Sequence, residues 1–202
     1  MNEPVFKTIL GESWDKLGGV IQKHYFLRPY SEDYICVTGT MSEVRHSFIA
    51  KLFIPMGWLF GAIVPFQGKD IPIDVHYNSS NTNSNIYWDR VFKFSVKRHF
   101  HFKSHMVHCR ENEVIEFVRF GVGLKLKVTA EDGALVFRDT GYIWRIFGIN
   151  IPIPGRILIG RAYVEERPID NNNFLMRMQV VHPVFGELFV YKGQFRVDVK
   201  TI

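Results

Sequence analysis

From Ile71 onward, apolar and polar residues alternate in short runs cut by turn signals, the pattern of antiparallel strands with one buried face. The runs predict strands near Tyr34–Met41, Ile71–Tyr77, Ile86–Phe94, His99–Cys109, Val114–Phe120, Gly123–Thr129, Leu135–Ile146, Arg156–Glu166, Phe174–His182 and Leu188–Val199. Asn78 to Asn85, Glu111-Asn112, Glu131-Asp132-Gly133, Asp170 to Asn173 and Val184 to Gly186 supply the turns. Earlier in the chain the period changes. Phe6, Ile9, Leu10, Trp14, Leu17, Val20 and Ile21 are spaced for one helical face, which predicts a helix from Phe6 to Tyr25, weakened at Gly18-Gly19. Ser47 to Val64 is almost entirely apolar and predicts a second helix, kinked at Pro55 and Gly57.

Many strands, two helices and no βα alternation argue against a doubly wound fold. The expected class is mainly β (α+β): a curled antiparallel sheet or β-barrel of about ten strands with two N-terminal helices, since closure removes sheet edges. No repeat, linker or composition break divides the 202 residues, so residues 1–202 read as a single domain. The second helix would pack across the mouth or open side of the sheet. Leu52 to Phe66 carries no charge but is too short to span a bilayer, which needs about 20 residues. It reads as a helix buried against the sheet or, alternatively, an interfacial helix touching lipid. Ile151-Pro152-Ile153-Pro154 reads as a loop bending over one end of the sheet, because proline interrupts strand pairing.

Strand parity also locates candidate chemistry. Ile86, Trp88, Arg90, Phe92 and Phe94 share one face, which places an always-charged guanidinium among aromatics. Such a group needs a carboxylate, a ligand anion or a route to water. The apolar face of the next strand carries Phe100, Phe102, Met106, Ser104 and His108. The strand after that turns Val114, Glu116, Val118 and Phe120 inward, and later strands turn His182 and Tyr191 inward. Arg90 and Glu116 thus form a possible inward ion pair. It could be a structural salt bridge, or a site where Arg90 holds the carboxylate or phosphate of an amphipathic ligand. A bulge in any strand would swap these faces.

Composition adds less. Eighteen phenylalanines point to a thick aromatic core or an apolar cavity wall. The net charge of +5 is modest and its densest run, Lys97 to His105, comes with no nucleic-acid motif, so nucleic acid is not an expected partner. A loose attraction to anionic membrane surfaces is open. Met1-Asn2-Glu3-Pro4 lacks the start of a signal peptide, so a cytoplasmic location is expected, peripheral to the membrane at most. Cys36 and Cys109 then read as reduced core thiols. His99, His101 and His105 share a face that looks solvated and offers no metal site. A Ser104–His182–Glu116 triad exists only by composition, Gly121-Val122-Gly123 opens no helix to cradle phosphate, and no motif calls for a cofactor.

Several of these residues together resemble a bacterial family known as a domain of unknown function, number 4166. Trp88-x-Arg90-x-Phe92, Phe102-x-Ser104, Glu116-Phe117 and Gly121 are similar to its pattern, as are Gly148 to Pro152 and an acidic residue at Glu165 or Glu166. His24 matches a histidine ending its first helix, and His182-Pro183-x-x-Gly186 followed by Tyr191-x-Gly193 resembles its closing motif. The resemblance implies no established activity. Fusion of such domains to saccharopine-dehydrogenase-like or related oxidoreductases implies a partner role in small-molecule or lipid metabolism.

The leading expectation is a module binding an amphipathic small molecule or lipid in an aromatic-lined cavity. Arg90 would hold the ligand's acidic group, with Trp88, Phe92, Phe102, Ser104, Glu116, His182 and Tyr191 around it. An enzyme using Glu116 or His182 in acid–base work is the second reading. A domain docking to an oxidoreductase partner or a membrane surface is the third.

Overall fold

A computed structural model describes residues 3–197. Its strands are β1 (Tyr34–His46), β2 (Ile71–Ser80), β3 (Asn83–Ser95), β4 (Arg98–Arg110), β5 (Glu113–Phe117), β6 (Val122–Glu131), β7 (Ala134–Ile146), β8 (Ile149–Ile153), β9 (Arg161–Pro168), β10 (Asn173–His182) and β11 (Gly186–Val197). Ten of them close an antiparallel barrel, running β1 to β7, then β9, β10, β11 and back to β1. The seam is β7. Its first half pairs with β9 over Leu135 to Arg138, and its second half pairs instead with the extra strand β8. Residues 198 and 199 of the strand expected to end at Val199 lie outside the described residues.

The turns follow local chemistry. Asp132 and Gly133 both take positive φ (48° and 81°), the two-residue hairpin whose twist matches its strands. Gly121 has a stricter reason. At φ +76° it joins β5 to β6, and a Cβ there would lie 2.3 Å from the Arg145 carbonyl oxygen. Gly121→Ala is therefore expected to cost about 2–4 kcal/mol, from left-handed strain plus displaced backbone. Urea unfolding checks this, and a cost under half a kcal/mol would refute the argument.

Alternate connections of an antiparallel barrel fall at opposite ends. One end is plugged by the N-terminal segment. The single helix expected from Phe6 to Tyr25 is instead α1 (Val5–Leu10), a 3₁₀ segment Gly11–Lys16 and α2 (Gly19–His24). The break comes where Gly11 takes φ +54° and Leu17 and Gly18 become extended. Gly18 then donates its N–H to the Gly133 carbonyl in the β6–β7 turn. The apolar stripe survives the break: Phe6, Ile9, Trp14, Val20 and Ile21 are all buried. Phe6 and Tyr25 pack on Phe137, and Tyr25 on Trp88, inside the barrel.

The opposite end is arched by the β1–β2 connection, residues 47–70. Here the expected long helix is only a 3₁₀ turn (Ile49–Leu52) and α3 (Ile54–Leu59). Nor is it a buried helix: Ala50, Gly57, Ile63 and Val64 are covered, while Leu52, Met56, Trp58 and Leu59 are exposed. Gly61 (φ +65°) ends the helix soon after Pro55 starts it, so the run is too short to turn its apolar residues to one side. Two further expectations change. The strand expected from Arg156 starts only at Arg161, after α4 (Gly155–Leu158), and the proline-rich stretch before it forms β8. The two cysteines form no disulfide among the described residues and do not lie in the core: Cys36 is half-buried and Cys109 exposed.

Candidate ligand cavity

A cavity of about 420 Å³ runs inside the barrel from the arched end towards the plug. Its mouth is lined by Met56 and Phe60 of the arch, Trp144 of β7 and Leu158 of α4. Its deeper wall includes Tyr77, Trp88, Phe92, Phe102, Phe174 and Tyr191. Aromatic and aliphatic side chains dominate, as in pockets for apolar ligands.

Three polar side chains interrupt this wall as one unit. The β3–β4 register sets Arg90 opposite Phe102 and Trp88 opposite Ser104, while β5 brings Glu116 beside Met106. Arg90 donates from Nη2 to Glu116 Oε1 (2.8 Å) and from Nη1 to Ser104 Oγ (3.0 Å), and Ser104 donates to the same carboxylate oxygen (2.7 Å). The guanidinium lies 4.3 Å from the Trp88 ring centre and 5.0 Å from that of Phe102. Arg90 and Glu116 line the cavity, whereas Ser104 is buried behind them.

A second polar group sits near the plug. His24 Nε2 of α2 lies 3.0 Å from Glu166 Oε2 of β9, at ion-pair distance though not aligned as a hydrogen bond. Both residues are buried, and Glu166 lines the cavity. His24 stacks on Phe174 at 4.6 Å. Burial, helped by the nearby Glu166 charge, pushes the Tyr25 and Tyr77 phenols well above their ordinary value, so both stay protonated. The parity of Ala162, Val164 and Glu166 already carried the signal for Glu166. His24 lies four residues after Val20 and three after Ile21, on the apolar helical face.

Of the eight residues singled out from the sequence, Trp88, Arg90, Phe92, Phe102, Glu116 and Tyr191 line the cavity and Ser104 backs it. His182 lies elsewhere. Its Nε2 is 2.8 Å from the Ile157 carbonyl, and its Nδ1 accepts the N–H groups of Val184 and Phe185. The ring therefore carries its proton on Nε2 and ties the β10–β11 turn to α4. Both nitrogens are engaged, which removes it from acid–base work in the cavity. Phe120, expected inward, is exposed, because β5 ends at Phe117 and the chain turns through a left-handed Phe120.

The outer histidines are scattered in role. His101 Nδ1 lies 3.0 Å from Asp89, and His105 stacks on Phe117 and Tyr87. Among the described residues no group of three or more His, Cys, Asp or Glu has an arrangement that could hold a metal ion. Nor is any helix of the described residues long and apolar enough to cross a membrane.

Comparison with known proteins adds three findings. The solved structure of the S-type phycobiliprotein lyase CPES from Guillardia theta aligns over 95% of this chain and 99% of its own, with a TM-score of 0.39 and 8% identity. A likeness that low carries no argument about function. The uncharacterized protein YndH of Bacillus subtilis (strain 168) is 31% identical over 170 residues, which are 80% of this chain and 82% of YndH. The profile of a family described as a domain of unknown function (DUF4166) matches residues 17–195, and the chain belongs to that family.

Proposed function

We propose that this barrel binds an amphipathic small molecule or lipid, with its apolar part along the cavity and its polar group at Arg90. The carrying observation is an apolar cavity of about 420 Å³ whose wall holds a hydrogen-bonded Arg90–Ser104–Glu116 unit. Two of the five N–H donors of Arg90 are engaged there, which leaves donors for a ligand. Glu116 already balances the guanidinium charge, and Glu166 adds a second carboxyl to the wall. A polar but uncharged group, such as a hydroxyl, ester or amide, fits this balance best. An acidic headgroup would have to displace Glu116 from Arg90.

Native mass spectrometry of the purified protein, with solvent extraction and identification of what is released, tests the reading directly. The companion variant is Ala162→Phe, which places a ring in the cavity from β9. It is expected to lower binding of the uncharged probe N-phenyl-1-naphthylamine by about tenfold or more while leaving the fold intact. A wild-type protein that releases nothing and binds the probe no better than Ala162→Phe would overturn the proposal.

A further inference from the structure

The two ends of the barrel differ in chemistry. At the plugged end, residues 3–33 and the turns 111–112, 132–133 and 169–172 carry eight Asp and Glu against four Lys and Arg. At the arched end, the connections 47–70, 96–97, 118–121, 147–148, 154–160 and 183–185 reverse the balance. They hold Lys51, Lys69, Lys97 and Arg119 against Asp70 alone, besides Arg156, whose charge is met by Asp139 of β7. The same connections expose large apolar side chains, among them Leu52, Trp58, Phe120, Phe147, Ile157 and Val184. Phe147, at the tip of the β7–β8 turn, is fully exposed.

The connections also touch one another. Arg119 donates its backbone N–H to the Phe60 carbonyl, and Phe60 meets Phe120 and Trp144 edge-on. The cavity opens among them, since Met56, Trp144 and Leu158 line it and are exposed as well. The barrel wall is different, with outward ion pairs such as Lys93–Asp74, Arg167–Glu165 and Lys192–Glu43. Lipid therefore suits the tip and not the wall.

Scattered exposed apolar residues need no explanation, but a gathered apolar patch rimmed by charge marks an interaction surface. This one is a dome built from six connections and studded with basic residues. Aromatic and aliphatic tips that enter the headgroup region, ringed by Lys and Arg facing anionic headgroups, match the chemistry of a bilayer surface. We infer that the arched end docks on an anionic lipid bilayer, inserting side chains such as Leu52, Trp58 and Phe147 while Lys51 and Lys97 meet the headgroups. The bilayer then becomes the source of the cavity's ligand, a step that rests on the binding reading above.

Co-sedimentation with vesicles tests the docking without any ligand. The wild type is expected to pellet with vesicles of phosphatidylcholine and phosphatidylserine, and far less with phosphatidylcholine alone. Lys51→Gln with Lys97→Gln should weaken partitioning about tenfold or more, since each basic residue near an anionic surface contributes substantially. Leu52→Glu with Phe147→Glu should abolish it with Tm unchanged, both positions being exposed. Phe26→Glu, exposed at the opposite end, should have no effect.

No pelleting with the mixed vesicles would overturn the inference, as would equal pelleting with phosphatidylcholine alone or equal losses from Phe26→Glu and Phe147→Glu. A solution dimer that Phe147→Glu splits would assign the surface to a second copy instead. Ala162→Phe keeps the two readings apart, because it is expected to block the cavity and leave vesicle binding intact.

Discussion

Arg90→Ala is expected to destabilise the fold by about 3 kcal/mol, because it strands the Glu116 carboxylate in a largely apolar wall. Arg90 and Glu116 are each 16% exposed, so water screens the pair little. Ser104 would remain as the one hydrogen-bond donor to that carboxylate. Replacing both partners by apolar residues of similar size, Arg90→Met with Glu116→Leu, is expected to restore most of the lost stability, since nothing charged is then left unpaired. Urea unfolding of the single and double variants measures this directly. Binding separates the two roles of the pair. If the unit only holds the barrel together, the double variant binds N-phenyl-1-naphthylamine and any extracted ligand as the wild type does. If Arg90 meets the ligand, stability recovers in the double variant and binding does not. A double variant as unstable as Arg90→Ala would refute the account of the pair itself.

That pair was legible in the sequence because β3 pairs with both neighbours without a register shift from Tyr87 to Phe92, so its period of two holds around Arg90. The same rule reached Glu116 from Val114 but failed three residues beyond β5, where the left-handed turn at Phe120 and Gly121 ends the alternation. It put His182 on the inner face, where it is buried, yet could not say that the last residue of a strand turns its ring to the neighbouring loop. The β1–β2 connection was hardest to read. Hydrophobicity alone does not distinguish a side chain that covers a cavity, such as Phe60, from one that faces outward, such as Trp58. Both lie within a few residues of each other, and the difference depends on Pro55 and Gly61 bounding a six-residue helix. Barrel closure was accessible only as a preference for removing edges. The β7–β9 and β11–β1 pairings that realise it are long-range, and no local pattern encodes them.

One buried group sits inside the barrel through a register change rather than through alternation. Between Thr40 and Glu43, β1 gains one residue over β11, and the inward set passes from Val37 and Met41 to Val44 and His46. His46 is thereby packed against Phe189 and Tyr191, and burial lowers its pKa from 6.5 to about 4, the Val64 backbone opposing this only in part. The unfolded chain therefore takes up a proton as the pH falls through 6.5, while the folded protein stays neutral at this position until about pH 4. Stability is present in full above pH 6.5 and is lost on the way down, by about 3 kcal/mol in total at about 1.4 kcal/mol per pH unit. Below about pH 4 the folded protein is protonated too, and this contribution levels off. The carboxylates held below their ordinary values, including Asp33, Glu43 and Glu131, lose their stabilisation only at still lower pH, near and beneath 4.5. Between pH 6.5 and 4.5 the slope thus belongs to histidine, with His105 contributing in the same direction through its own burial. His46→Leu isolates the first of the two. Urea unfolding across this range should give a flatter curve for the variant, converging with or overtaking the wild type as the pH falls. Parallel curves would mean that His46 is protonated alike in both states, and the burial argument would fail.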